Sequence, residues 1–145
     1  MSYYIKNNMF ENATKWRNAL KSLFSRHSIG YFDPCECFRE NQYIDKKGIV
    51  DQNNHYLRQC DLMIVNFDHI LDSPGTLYEM FNFSFQRKPV IGFGPFYMKG
   101  QYAHIDYALS EYIETNEDFV SQDSDVNCDI VYQNIVDYIL NMYFQ

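Results

Sequence analysis

Apolar and polar positions along the chain alternate between two spacings, short apolar runs and helical stripes. Tyr3-Tyr4-Ile5 is a short β-prone run, and beyond Asn7 and Asn8 the apolar positions fall at helical spacing through Trp16, Leu20, Leu23 and Phe24. Asn12 reads as the N-cap of this helix, and His27-Ser28 with Gly30 as its end. Ile29 to Phe32 gives a second short strand closed by Asp33-Pro34, and the polar stretch from Cys35 to Gly48, which lacks a period, reads as a loop with one helical turn. A helix from about Ile49 carries Tyr56, Leu57 and Cys60, and Leu62-Met63-Ile64-Val65-Asn66-Phe67 is nearly all apolar, as a buried strand must be. After the loop from Asp68 to Ser73, Pro74 suits the first turn of a helix with Leu77, Met80, Phe81 and Phe85 that ends at Arg87-Lys88-Pro89. Val90 to Gly94 is a further buried strand. A Tyr-rich stretch from Tyr97 to Tyr112, a last strand near Tyr112-Ile113 and an amphipathic helix from Val126 to Tyr143 complete the pattern.

Strands alternating with helices imply right-handed parallel βαβ units with helices on both faces, so the class is α/β with about five strands. Ligands of such sheets collect beyond the carboxyl ends of the strands, which points to the loops after Ile5, Phe32, Phe67 and Phe93. At 145 residues the chain builds one core and is expected to form a single domain over 1–145.

Composition narrows the partners. Twelve Lys and Arg stand against 19 Asp and Glu, a net charge of −7, and the basic residues are scattered. Binding a phosphate polymer needs clustered cations, so a nucleic-acid strand is not an expected partner. Nor is a membrane, because the longest apolar run, Leu62 to Val65, is far short of the ~20 residues of a span, and Lys6 and Asn7 interrupt any secretory leader. A cytoplasmic protein is expected. Cys35 and Cys37 leave one residue between their thiols, a poor zinc spacing, so Cys35, Cys37, Cys60 and Cys128 read as reduced, partly buried thiols and no metal is expected.

The chemistry concentrates after the third strand. Ser73, Gly75 and Thr76 lie at a helix start, where unpaired N–H groups and the positive dipole end favour an anionic or hydroxyl-rich ligand. Glu79 follows about one turn later. Such a glutamate either complements the helix dipole or reaches a bound small molecule, and the Ser73 to Glu79 spacing is too long for a capping box. Cys60-Asp61-Leu62-Met63-Ile64-Val65-Asn66-Phe67, Ser73-Pro74-Gly75-Thr76-Leu77-Tyr78-Glu79 and Lys88-Pro89-Val90-Ile91-Gly92 together resemble the nucleoside 2-deoxyribosyltransferase family, whose signature is an aspartate-led buried strand, a D-S-G-T-x-x-E-like helix start and a G-K-P-V-like strand entry. Tyr4-Ile5-Lys6-Asn7-Asn8-Met9-Phe10 is similar to the family's first strand and loop.

The resemblance implies a doubly wound, flavodoxin-like sheet, no cofactor, and exchange or hydrolysis at the N-glycosidic bond of a 2′-deoxynucleoside. It makes Glu79 the nucleophile and Tyr4 the residue holding it, the other reading of Tyr4 being a tyrosine packed at the start of a strand; Asn8, Gly75 and Thr76 are expected substrate contacts. Met98 resembles the methionine loop that reaches a neighbouring subunit's site. A homo-oligomer with shared sites is therefore expected, a dimer or a trimer of dimers, and 13 Tyr and 12 Phe exceed what one small core absorbs. The expected ligands are a small nucleoside or nucleotide and a free nucleobase.

Two departures from the family pattern bear on substrate. Ser73 stands where the family has a sugar-binding aspartate; in the related deoxynucleoside-monophosphate N-hydrolases a serine there helps bind the 5′-phosphate, while Asp72 is one residue away from supplying the carboxylate. Asn53 stands 26 residues before Glu79, where the family has the aspartate that protonates the base. An amide presents donors and acceptors but is no general acid, which leaves Asp51 by a register shift, water, or a different base. His55, His69 and His104 read as surface or capping residues.

Overall fold

The computed structural model describes residues 9–33, 46–68, 70–94, 97, 99–115 and 126–143. The chain forms two compact units, one from 1–59 with 120–145 and the other from 60–119.

The first unit contains α1 (Met9–Arg26), α2 (Lys46–Leu57) and the C-terminal helix α5 (Val126–Tyr143). Packing of α1 on α5 matches the apolar stripes: Leu20 and Phe24 are buried on α1, and Val131, Tyr132, Ile135, Val136 and Ile139 on α5. Asn12 is not a cap, since α1 begins at Met9 and Asn12 lies inside it; helix start signals place a boundary only to within a few residues. The end of α1 falls at the expected His27-Ser28, which form a turn after Arg26. Ser28 takes the left-handed conformation (φ 56°), its N–H donates to the Ser25 carbonyl at 3.4 Å, and the Ile29 N–H donates to the Phe24 carbonyl at 2.9 Å. This is a Schellman ending with serine in the glycine place.

The expected strand Ile29 to Phe32 is not one of the ladders among the described residues. A strand exists only through its partner, and the expected first strand, Tyr3 to Ile5, lies outside the described residues. The segment is held instead at Asp33, which is buried and pairs with Arg17 at 2.8 Å and Lys21 at 2.5 Å, two cations one turn apart on α1.

The second unit is built on three parallel strands in the order β1 (Met63–Asn66), β2 (Val90–Gly94), β3 (Glu111–Glu114). Between them run α3 (Pro74–Phe85) and α4 (Ala103–Ala108). Two right-handed crossovers advancing in one direction put both helices on one face, and α3 and α4 do pack together. The class is α/β with a parallel sheet, and the described sheet has three strands. Strand β2 is central and wholly buried, with Met63 opposite Val90 and Ile91 opposite Glu111, so its near-continuous apolar run follows from its place. Pro74 is in the first turn of α3 as its fixed φ favours, and α3 ends in a second Schellman motif: Arg87 has φ 58° and donates to Ser84, while Lys88 donates to Phe83. Left-handed backbone is costly for a residue with a Cβ, so Ser28→Gly and Arg87→Gly should each stabilise by about 0.5–1 kcal/mol, read as a higher urea midpoint at unchanged m. No helix among the described residues is long and apolar enough to cross a membrane.

Candidate functional site

The carboxyl end of β1 launches the segment that carries the chemistry. Phe67 extends the ladder by donating its N–H to the Phe93 carbonyl at 2.9 Å, and the Asn66 side chain then accepts the Asp68 N–H at 2.9 Å, turning the chain out of the strand. A single 3-10 turn, Ile70–Asp72, is anchored by buried Ile70 and delivers the chain to Ser73. The Ser73 N–H donates to Ile70, and its carbonyl accepts the first helical bond of α3 from the Leu77 N–H at 3.1 Å.

Ser73 is the N-cap of α3 by position, yet its hydroxyl makes no capping hydrogen bond. Pro74 has no N–H, and those of Gly75 and Thr76 precede the first helical bond, so the start of α3 presents two backbone donors on the positive end of a 12-residue dipole. Glu79 lies four residues after Gly75 and three after Thr76, on the same face of the helix. Ser73, Thr76 and Glu79 are half-buried, Asp72 and Gly75 exposed. Buried Met80 and Phe83 fix the rotation of α3, which leaves Glu79 at the margin of the packed stripe.

A second group stands at the same end of the sheet, and two of its members, Tyr97 and Tyr112, bound the Tyr-rich stretch noted in the sequence. The rings of Tyr97 and Tyr112 stack at 4.8 Å, and both meet Phe67 edge-on at 5.8 and 5.3 Å. Gly92 and Gly94 make room for them: a Cβ on Gly94 would lie 2.6 Å from the Tyr112 hydroxyl. Burial, then the negative charge of Glu114 and the neighbouring Tyr97 and Asp68, pushes the Tyr112 hydroxyl well above the ordinary tyrosine range. The signals in the sequence were the Tyr-rich stretch from Tyr97 to Tyr112 and the glycines of Val90-Ile91-Gly92-Phe93-Gly94, which leave space for large neighbours.

The structure thus brings together Asp72, Ser73, Gly75, Thr76 and Glu79 on one turn and the helix it enters. Asp51, exposed, and Asn53, half-buried, lie on α2 in the other unit. Tyr4, Asn8 and Met98 lie outside the described residues. His55 contacts Gln59 on the exposed side of α2 at 3.2 Å and His104 is exposed, in keeping with surface roles; His69 lies outside the described residues. Cys60 is half-buried, forms no disulfide among the described residues, and has a pKa raised by burial against the opposing charge of Lys88. A shallow hollow of about 260 Å³ lined by Ser84, Arg87, Lys88, Tyr107 and Ser110 sits at the amino ends of the strands, the opposite end of the sheet from the start of α3.

A helix start bearing N–H donors, with a carboxylate one turn in, follows the carboxyl end of β1, the end of a parallel α/β sheet where ligands collect. The family model described as "Nucleoside 2-deoxyribosyltransferase like" matches residues 7–97, well over half of the chain, and the chain belongs to that family, whose chemistry is of the glycosyl-transfer or hydrolysis type. The matched stretch contains β1, all of α3 with Ser73 and Glu79, and β2. No curated protein and no solved structure matches the chain.

Proposed function

We propose that the protein is a nucleoside 2-deoxyribosyltransferase with Glu79 as nucleophile. The observation that carries this reading is the half-buried Glu79 carboxylate on the same face as the two backbone donors of the α3 start, within the family match. The Glu79 carboxylate attacks C1′ of the deoxyribose as the C1′–N bond breaks, the base leaves with the bonding electrons and takes up a proton, and a second base attacks C1′ to regenerate the carboxylate. Two displacements retain configuration. Tyr4 holds Glu79 by a hydrogen bond, Asp51 or water supplies the proton that Asn53 cannot, and Asn8 and Met98 contact substrate. The enzyme works without metal or organic cofactor, in the cytoplasm, as a homo-oligomer.

A nucleoside, rather than a nucleotide, is favoured by charge: no Lys or Arg occurs between Arg58 and Arg87, whereas Asp68, Asp72 and Glu79 all lie in that stretch and would repel a phosphate dianion. One observation favours a second reading, hydrolysis of a deoxynucleoside 5′-monophosphate. Ser73 stands at the N-cap position beside the helix N–H groups, where a phosphate would sit.

Incubation with deoxyinosine or thymidine plus a different free base, and separately with deoxynucleoside monophosphates, separates the two. A new nucleoside supports transfer; free base released from the monophosphate without exchange supports hydrolysis, and then Ser73→Asp should lower kcat/KM for the monophosphate by about tenfold or more. Tight binding without turnover would identify a silent nucleotide-binding module and overturn both enzymatic readings.

A further inference from the structure

One carboxylate ties down the segment after β2. Asp106 on α4 accepts the Tyr97 hydroxyl through Oδ1 and the Gly100 N–H through Oδ2, the latter at 2.9 Å. Gly100 has φ +87°, a conformation that suits glycine and turns the chain back toward α4. Held in this way, Tyr97 lies flat on Tyr112 of β3 and edge-on to Phe67. Phe67 is the last residue bonded into the β1 ladder before the chain leaves for Ser73 and Glu79. A single side chain therefore holds the tyrosine whose ring meets Phe67, just past β1, and Tyr112 on β3.

We propose that Asp106 is a positioning residue that, through Tyr97, presets an aromatic wall at the carboxyl end of the sheet against which the nucleoside binds; this rests on the deoxyribosyltransferase reading above. With the clamp in place the wall is ordered before the ligand arrives. Without it, binding must bear the entropy of fixing Tyr97 and Gly100, so affinity falls while chemistry at Glu79 is untouched. Partial burial and then Asp106 push the Tyr97 hydroxyl up to about 12, so its proton is present to be donated throughout the physiological range.

The test uses the full chain with Asp106→Ala, Asp106→Asn, Tyr97→Phe and the Asp106→Ala/Tyr97→Phe double variant, reading KM and kcat for deoxyinosine and amide hydrogen exchange in 97–102. Asp106→Ala should speed exchange at Gly100 and raise KM about tenfold with kcat within about twofold, the pattern of lost binding in ground and transition state alike. Asp106→Asn, which keeps one acceptor oxygen, should fall between, and the double variant should have a KM no higher than Asp106→Ala. If Asp106→Ala does not fold, Tyr97→Phe, which keeps the ring and removes only the hydroxyl, carries the test with a smaller rise in KM. Faster exchange with KM unchanged, or kcat falling as far as KM rises, overturns the inference alone. Wild-type protein that neither binds nor turns over deoxyinosine overturns the functional reading and the wall with it.

Discussion

Glu79→Gln should lower kcat for base exchange by about 10³-fold or more while leaving the protein folded. The substitution preserves side-chain length and shape and removes only the anionic oxygen that would bond to C1′, and a nucleophile supplies several kcal/mol of barrier reduction, each ~1.4 kcal/mol being tenfold in rate. Folding should tolerate it. Glu79 is half-buried at the edge of α3, whose packing rests on Met80 and Phe83, and Gln is as good a helix former as Glu. Circular dichroism and a thermal midpoint establish the fold, and exchange of deoxyinosine with adenine followed by chromatography gives the rate. A variant retaining a tenth of wild-type activity would remove Glu79 from the nucleophile role; a covalent deoxyribosyl adduct trapped on wild type and absent from the variant would secure it.

Gly92→Ala should destabilise the protein by about 2–3 kcal/mol, which for a chain of this size is a fall in thermal midpoint of roughly 6–10 °C. The added Cβ would lie 2.8 Å from Cε1 of Phe67, 3.0 Å from Cδ2 of Tyr112 and 3.1 Å from Cδ2 of Leu109. Those neighbours cannot retreat cheaply: Phe67 is buried against Tyr97 and Tyr112, and β2 is held by ladders on both sides. At Gly75 a Cβ would meet nothing within 4 Å, so Gly75→Ala is the matched control for folding. Gly92→Ala melting within about 2 °C of wild type would show that the aromatic cluster rearranges freely, and would weaken the account of a preset wall.

The elements of the second unit were largely legible because their local signals agree with their tertiary places. Pro74 begins α3, the apolar runs are β1 and β2, and Tyr112-Ile113 lies in β3. The short α4 was not legible. Its six residues carry only Ile105 and Ala108 as buried positions, too few to show a period. The end of α1 was legible at His27-Ser28 but its means were not: Ser28 rather than Gly30 takes the left-handed backbone, and the Ser28 and Ile29 N–H groups close the helix by bonds that no propensity reports. Two helix starts erred in the same direction: α2 begins three residues before the expected Ile49 because its polar Lys46-Lys47-Gly48 hides the onset of a stripe, and α1 begins at Met9, ahead of the Asn12 expected to cap it.

For the site, local sequence was enough to bring Asp72, Ser73, Gly75, Thr76 and Glu79 together, because all lie on one continuous turn and helix whose geometry follows from spacing. The Asp106 clamp and the stack of Tyr97 on Tyr112 were out of its reach. They join residues from different elements, and what selects them is the parallel register that sets Gly92 beside Tyr112. Sequence by itself therefore determined the α/β class, the family and a nucleophile candidate at a helix start, since each depends on short-range periodicity and motif. Only the tertiary structure decided what stands around that helix start, because a glycine's empty space acquires meaning from the side chains that the sheet lays over it.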